Sequence, residues 1–263
     1  MPDLFVIAGP CVIESRDVCL QVGQAVKAAC EQAGVDYIFK ASFDKANRSS
    51  ASSYRGPGVE DGLDILRDVG QELGVRTVTD VHEPEHPATA AEVVDVLQVP
   101  AFLARQTSLL TACGKTGKIV NIKKGQFMAP SEMATAVDKV KAAGESEVWL
   151  TERGTFFGYG RLVNDFGGLR TMAQTGCPVV FDATHSTQTP ASLGGKSGGD
   201  PTLAPILARA AVAAGVDGVF IECHPDPTNA KSDAASMMRL DDVPRLIDEL
   251  AGLATLRTSW QGG

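Results

Sequence analysis

Eight times along this chain a short run rich in Val, Ile, Leu and Phe gives way to a longer amphipathic stretch. That alternation is the pattern of parallel strands joined by crossover helices. It predicts strands at 4–8, 37–40, 77–80, 94–98, 119–122, 148–151, 179–182 and 219–222, with helices such as 18–33, 62–73, 133–143, 203–214 and 243–253 between them. Eight such units in 263 residues match the roughly 250 residues of a complete barrel. The expected fold is therefore α/β, a single (β/α)8 TIM barrel occupying residues 1–263, with no room for a second or regulatory domain. An open doubly wound sheet would use fewer strands, and no GxGxxG follows the first run.

The partners are bounded by charge and hydropathy. A net charge of −8 argues against a nucleic-acid or anionic-membrane surface, which needs a basic footprint. No apolar run approaches the roughly 20 residues of a membrane span, and the first run lacks the basic flank of a signal peptide, so a cytoplasmic protein is expected. The six cysteines then read as reduced thiols. Cys19 and Cys30, close to three helical turns apart, share a face with Val22 and Val26 as small buried hydrophobes.

In such a barrel the chemistry sits where strands end and the following loops begin. Those places carry Cys11, then Lys40 with Lys45, Asn47 and Arg48, then Asp80, Arg105, Lys123, Glu152 with Arg153, Asp182 with His185, and Glu222. The loop from Lys40 to Ser50 concentrates cations, an amide and hydroxyls suited to a phosphate and sugar hydroxyls, or to a solvated surface. Lys123, Arg105 and Arg153 add cations for a second anionic group. The glycine-rich stretch around Lys196 and Ser197 could cover a phosphate, but Pro190 stands where a P-loop needs glycine, so nucleotide binding is not implied. Cys11, His185, Glu222 and Asp233 are ligand types that suit a divalent transition metal, although their scattered spacing equally fits ordinary rim residues and a buried thiol. His82 and His86 flank a helix start and read as capping or surface groups; His224, before Pro225, reads as a turn residue or as a neighbour of Glu222.

Ala8-Gly-Pro-Cys11, the run Phe39 to Ser50, Pro100-Ala-Phe-Leu-Ala-Arg-Gln-Thr107, Asn121-Ile-Lys-Lys-Gly-Gln-Phe127, Thr151-Glu-Arg-Gly154, Phe181-Asp-Ala-Thr-His-Ser186 and Glu222-Cys-His-Pro-Asp-Pro227 together resemble the 3-deoxy-D-manno-octulosonate 8-phosphate synthase family nearly end to end. The stretch Lys45-Ala-Asn-Arg-Ser49 is the most specific, because the related erythrose 4-phosphate enzymes have Lys-Pro-Arg-Thr there. The resemblance implies condensation of phosphoenolpyruvate with D-arabinose 5-phosphate, a step toward the Kdo sugar of lipopolysaccharide. It implies one divalent metal ion (Zn2+, Fe2+ or Mn2+) on Cys11, His185, Glu222 and Asp233, since a cysteine in the first loop marks the metal-dependent class. It also implies a phosphoenolpyruvate pocket of Lys40, Gln106, Lys123, Arg153 and His185, and a sugar-phosphate site of Lys45, Asn47, Arg48, Ser49 and Asp80. Arg105 and Ser197 would reach the distal phosphate across a subunit interface in a homotetramer.

The stretches 157–164 and 235–238 depart from the family pattern without removing a named ligand. Two rivals remain: the erythrose 4-phosphate reaction of the same superfamily, which Asn47 argues against, and a catalytically silent barrel serving as a binding module.

Overall fold

A computed structural model of the protein describes residues 4–46, 53–190 and 198–261. Eight parallel strands, β1 (Phe5–Gly9), β2 (Asp36–Lys40), β3 (Arg76–Asp80), β4 (Val96–Val99), β5 (Ile119–Lys123), β6 (Val148–Glu152), β7 (Val179–Asp182) and β8 (Gly218–His224), pair in chain order. The sheet closes because β1 pairs with β8 as well as with β2, so that Gly9 stands opposite Glu222. Helices α1 (Arg16–Ala33), α2 (Val59–Leu73), α3 (His86–Ala91), α4 (Thr107–Gly114), α5 (Met133–Lys141), α6 (Phe166–Ala173), α7 (Ala204–Ala214) and α8 (Val243–Gln261) lie between and after them. The expected (β/α)8 barrel is the fold observed, and no helix among the described residues is long and apolar enough to cross a membrane.

Local chemistry explains the boundaries. α1 begins two residues before the sequence expectation because the Ser15 side chain accepts from Val18 N and caps it; it ends at Gly34, whose φ of 66° few other residues adopt cheaply. The expected start of β4 at 94 moves to Val96, because Val94 N donates to Ala90 O and completes the turn after α3. Cys19, Val22, Val26 and Cys30 do share the buried face of α1.

Two apolar layers result from the period-2 alternation of the strands. Outward residues such as Val6, Ala8, Phe39, Leu97, Leu150 and Ile221 pack beneath the helices. Inward, Ile7, Ile38, Val78, Val96, Trp149, Val180 and Phe220 form a separate buried cluster, with Ile119 packed against it. Each strand thus contributes one side chain to a plug that fills the lumen. Two residues further along each strand, on the same inward face, stand Gly9, Lys40, Asp80, Gln98, Asn121, Thr151, Asp182 and Glu222. The switch from apolar to polar at this level is the floor of the site.

Candidate active site

A cleft of about 650 Å³ opens above that floor, lined by Lys40, Lys45, Asp80, Lys123, Arg153 and His185 among others. These three lysines and the arginine are all buried, from Lys40 at 1% exposure to Lys45 at 8%. Lys40 Nζ donates to the Cys11 carbonyl and to Glu222 Oε1, both at 2.9 Å, and stands 3.4 Å from Asp80 Oδ2. Burial works against its charge, but Glu222 and Asp80 raise its pKa above the ordinary lysine value. Lys45 Nζ lies 3.7 Å from the same Asp80 oxygen. Burial would raise the Asp80 pKa, yet Lys40, Lys45 and Lys123 hold this carboxyl well below the usual range.

On the opposite side Lys123 Nζ donates to Asp182 Oδ2 at 2.6 Å and rides 3.7 Å from the centre of the Phe220 ring, a cation–π contact between the lumen plug and the site. Arg153 Nη2 donates to Gln188 Oε1 at 2.7 Å, while Nη1 is buried with no partner among the described residues. A buried guanidinium nitrogen without an acceptor is costly in protein alone; an anion in the cleft would satisfy it.

Beside the cations lies a group of acidic ligand atoms. Single ligand atoms of Cys11, Glu222 and Asp233 fall within 4.8 Å of one another. The Cys11 sulfur is 3.2 Å from both Asp233 Oδ2 and Ser232 Oγ. Cys11 and Asp233 are also the only non-glycine residues with positive φ among those described, at 64° and 50°. Such backbone strain persists only where the surroundings impose it and clusters at functional sites. Burial first, then the Glu222 and Asp233 charges, push the Cys11 thiol well up; Glu222, despite burial, is drawn down to about 2 by His185, Lys40 and Lys45.

His185 Nε2 approaches Glu222 Oε2 at 3.4 Å, while its Nδ1 meets Asp182 Oδ2 at 2.8 Å. A carboxylate behind one ring nitrogen orients the other toward the ligand group. The thiol and two carboxylates fall together and the His185 imidazole stands beside them on Glu222; by donor chemistry the four fit a borderline divalent cation, which would also favour the Cys11 thiolate that burial and the two carboxylates oppose.

Other expected residues fall elsewhere. Asn47, Arg48, Ser49 and Ser197 lie outside the described residues. Arg105 does not join Lys123 and Arg153: it follows a 3-10 turn beyond β4, and its side chain is 68% exposed beside Glu132. Gln106 takes the N-cap position of α4 and is not among the residues lining the cleft. His82 is buried and lines the cleft, contrary to the capping or surface expectation, because the chain past β3 stays bonded to β4 through Val81 N and Gln98 O; His86 Nδ1 does accept from His82 N and Glu83 N at the helix start. His224 has the turn role, its Nδ1 accepting from Asp226 N. The divergent stretch 157–164 contains the turn between two short paired strands, Thr155–Phe156 and Leu162–Val163, and exposes Phe157 and Tyr159. Gln98, Asn121 and Thr151 in the polar floor were not expected as site residues. The signal was present as Val-x-Gln, Ile-x-Asn and Trp-x-Thr, a polar residue two beyond each lumen-filling one.

The DAHP synthetase I family model matches residues 2–257. The chain is 54% identical over 252 residues to the 2-dehydro-3-deoxyphosphooctonate aldolase of Nitratidesulfovibrio vulgaris strain DP4, covering 96% of this chain and 92% of that one. Proteins of the same name from Koribacter versatilis (55% over 244 residues, 91% and 87% covered) and Magnetococcus marinus (53% over 254 residues, 97% and 88% covered) are equally similar. A barrel whose charged cleft lies at the strand ends, matched over nearly its whole length by these proteins, belongs to the DAHP synthetase I family.

Proposed function

We propose that this protein condenses phosphoenolpyruvate with D-arabinose 5-phosphate and water, giving 3-deoxy-D-manno-octulosonate 8-phosphate and phosphate, as the name of its relatives suggests. The observation that carries the reading is the buried Arg153 Nη1, without a partner among the described residues, set in a cleft with Lys40, Lys45 and Lys123 beside a thiol–carboxylate group. Arg153 and Lys123 bind the phosphate and carboxylate of phosphoenolpyruvate, the fork giving orientation and the ammonium a point charge. Carbon C3 of the enol then attacks the aldehyde carbon. Lys45 hydrogen-bonds the aldehyde oxygen as its negative charge grows, and Lys40 helps to keep the cleft cationic. Water adds at C2, and phosphate leaves by cleavage of its C–O bond.

Asp80 with Asn47, Arg48 and Ser49 holds the aldose, and Gln106 serves the phosphoenolpyruvate side. Arg105 points outward, which favours its serving, with Ser197, the distal phosphate bound by a neighbouring copy in a homotetramer. Cys11, His185, Glu222 and Asp233 would hold one divalent ion, which supplies a Lewis acid for orienting the aldose or activating water. In this reading the chain is one catalytic domain working in the cytoplasm.

Phosphate release from the two substrates, followed before and after chelation with Mn2+ or Zn2+ returned, tests the whole reading. Loss with chelator and recovery with metal is expected. Faster turnover with erythrose 4-phosphate would sink the sugar assignment; full activity in protein free of metal by elemental analysis would sink the metal assignment.

A further inference from the structure

The polar floor contains a chain of hydrogen bonds that neither the cations nor the metal-ligand group uses. Thr151 Oγ1 donates to Asn121 Oδ1 at 2.7 Å, Asn121 Nδ2 to Gln98 Oε1 at 3.0 Å, and Gln98 Nε2 to Asp80 Oδ1 at 2.6 Å. Thr151, Asn121 and Gln98 are fully buried. The bonds run in one direction, from β6 across β5 and β4 to the carboxylate on β3, and the far end sets that direction. An ionised carboxylate only accepts, so Gln98 must turn its NH2 toward Asp80. Its oxygen is left for Asn121, whose own oxygen is left for the Thr151 hydroxyl.

Three polar side chains at this depth are poor filling compared with the valines and isoleucines one layer below, and they are tolerable only because each is satisfied. What they determine is the orientation of Asp80. Its other oxygen takes the Ser42 hydroxyl and lies 3.4 Å from Lys40 and 3.7 Å from Lys45. We propose that Gln98, Asn121 and Thr151 are positioning residues, a directional relay that locks the Asp80 carboxylate and through it places the Lys45 ammonium on the aldose side of the cleft. The inference rests on the assignment of Asp80 and Lys45 to the aldose made above.

Asn121→Asp tests the direction with almost no change of shape. Burial and the nearby Asp80 charge favour a protonated carboxyl there, which would still donate to Gln98, so the variant is assayed at alkaline pH beside the parent; once ionised it accepts only, and Gln98 must turn its NH2 away from Asp80 and present its carbonyl oxygen to the Asp80 carboxylate. The expected result, in the full-length metal-loaded enzyme, is a fall in kcat/KM for arabinose 5-phosphate of about 10- to 100-fold, the range for losing one hydrogen bond to a charged group. The KM for phosphoenolpyruvate should stay at its starting value, a split that a general packing defect would not produce. Thr151→Val should lower the same aldose parameter by less, and Thr151→Ser should restore it.

Normal aldose kinetics in folded Asn121→Asp and Thr151→Val would overturn the relay. If Asn121→Asp does not fold, the Val and Ser variants at 151 decide alone. Asp80→Asn, measured alongside, separates the two claims. Unchanged aldose kinetics in that variant would overturn the aldose assignment, and the proposal with it. An impaired Asp80→Asn beside an unimpaired Asn121→Asp would overturn the relay only.

Discussion

Arg153 has one guanidinium nitrogen bound by Gln188 and one buried without a partner among the described residues, so its shape matters as much as its charge. Arg153→Lys keeps the cation but removes the fork; we expect the KM for phosphoenolpyruvate to rise about tenfold or more, measured by steady-state phosphate release. Asp80 gives a stability prediction. Its folded pKa is depressed by Lys40, Lys45 and Lys123 in spite of burial, so it adds stability above the unfolded carboxyl pKa of about 3.9. That stability is lost as pH falls from there toward the folded value, because the unfolded chain takes up the proton first. Urea unfolding followed downward from pH 5 should therefore show a shallower acid loss in Asp80→Asn than in the parent. At this scale the sequence exposed Lys40, Asp80, Lys123 and Arg153 because they stand at or just past strand ends. It hid Gln98, a residue before the end of β4, and it grouped Arg105 with Lys123 and Arg153, whereas the direction of Arg105 depends on a turn that no local pattern announces.

The first two strands meet more closely at Gly9 than any other residue would allow: a Cβ there would lie 1.8 Å from the Lys40 carbonyl oxygen. Gly9→Ala must force β1 away from β2, at about 1–3 kcal/mol or more in urea unfolding, and turnover should fall with it, because Cys11 and Lys40 leave these two strands. The eightfold alternation made the elements legible, since buried parallel strands read as continuous apolar runs. Their ends were less so. Ser15, three residues ahead of the expected helix, and the Val94 turn after α3 are decided by single hydrogen bonds that periodicity does not see.

Across the whole molecule, Cys11 and Asp233 are 222 positions apart in the chain yet their side chains are within 3.2 Å. Only closure of β1 on β8 makes them neighbours, which is why spacing alone could not reveal the group. An ion held there ties the two ends of the barrel together and exists only in the folded state. Metal at about 100 times its Kd should add about 2.7 kcal/mol, raising Tm by roughly 5–10 °C for a chain of this size, and Cys11→Ala should abolish the rise in a thermal melt of chelated and reloaded protein. The lumen plug of Ile7, Ile38, Val78, Val96, Trp149, Val180 and Phe220 has a different bearing. A vessel stoppered at its base is filled and emptied from the rim, so whatever the cleft takes up enters and leaves on the side where the strands end.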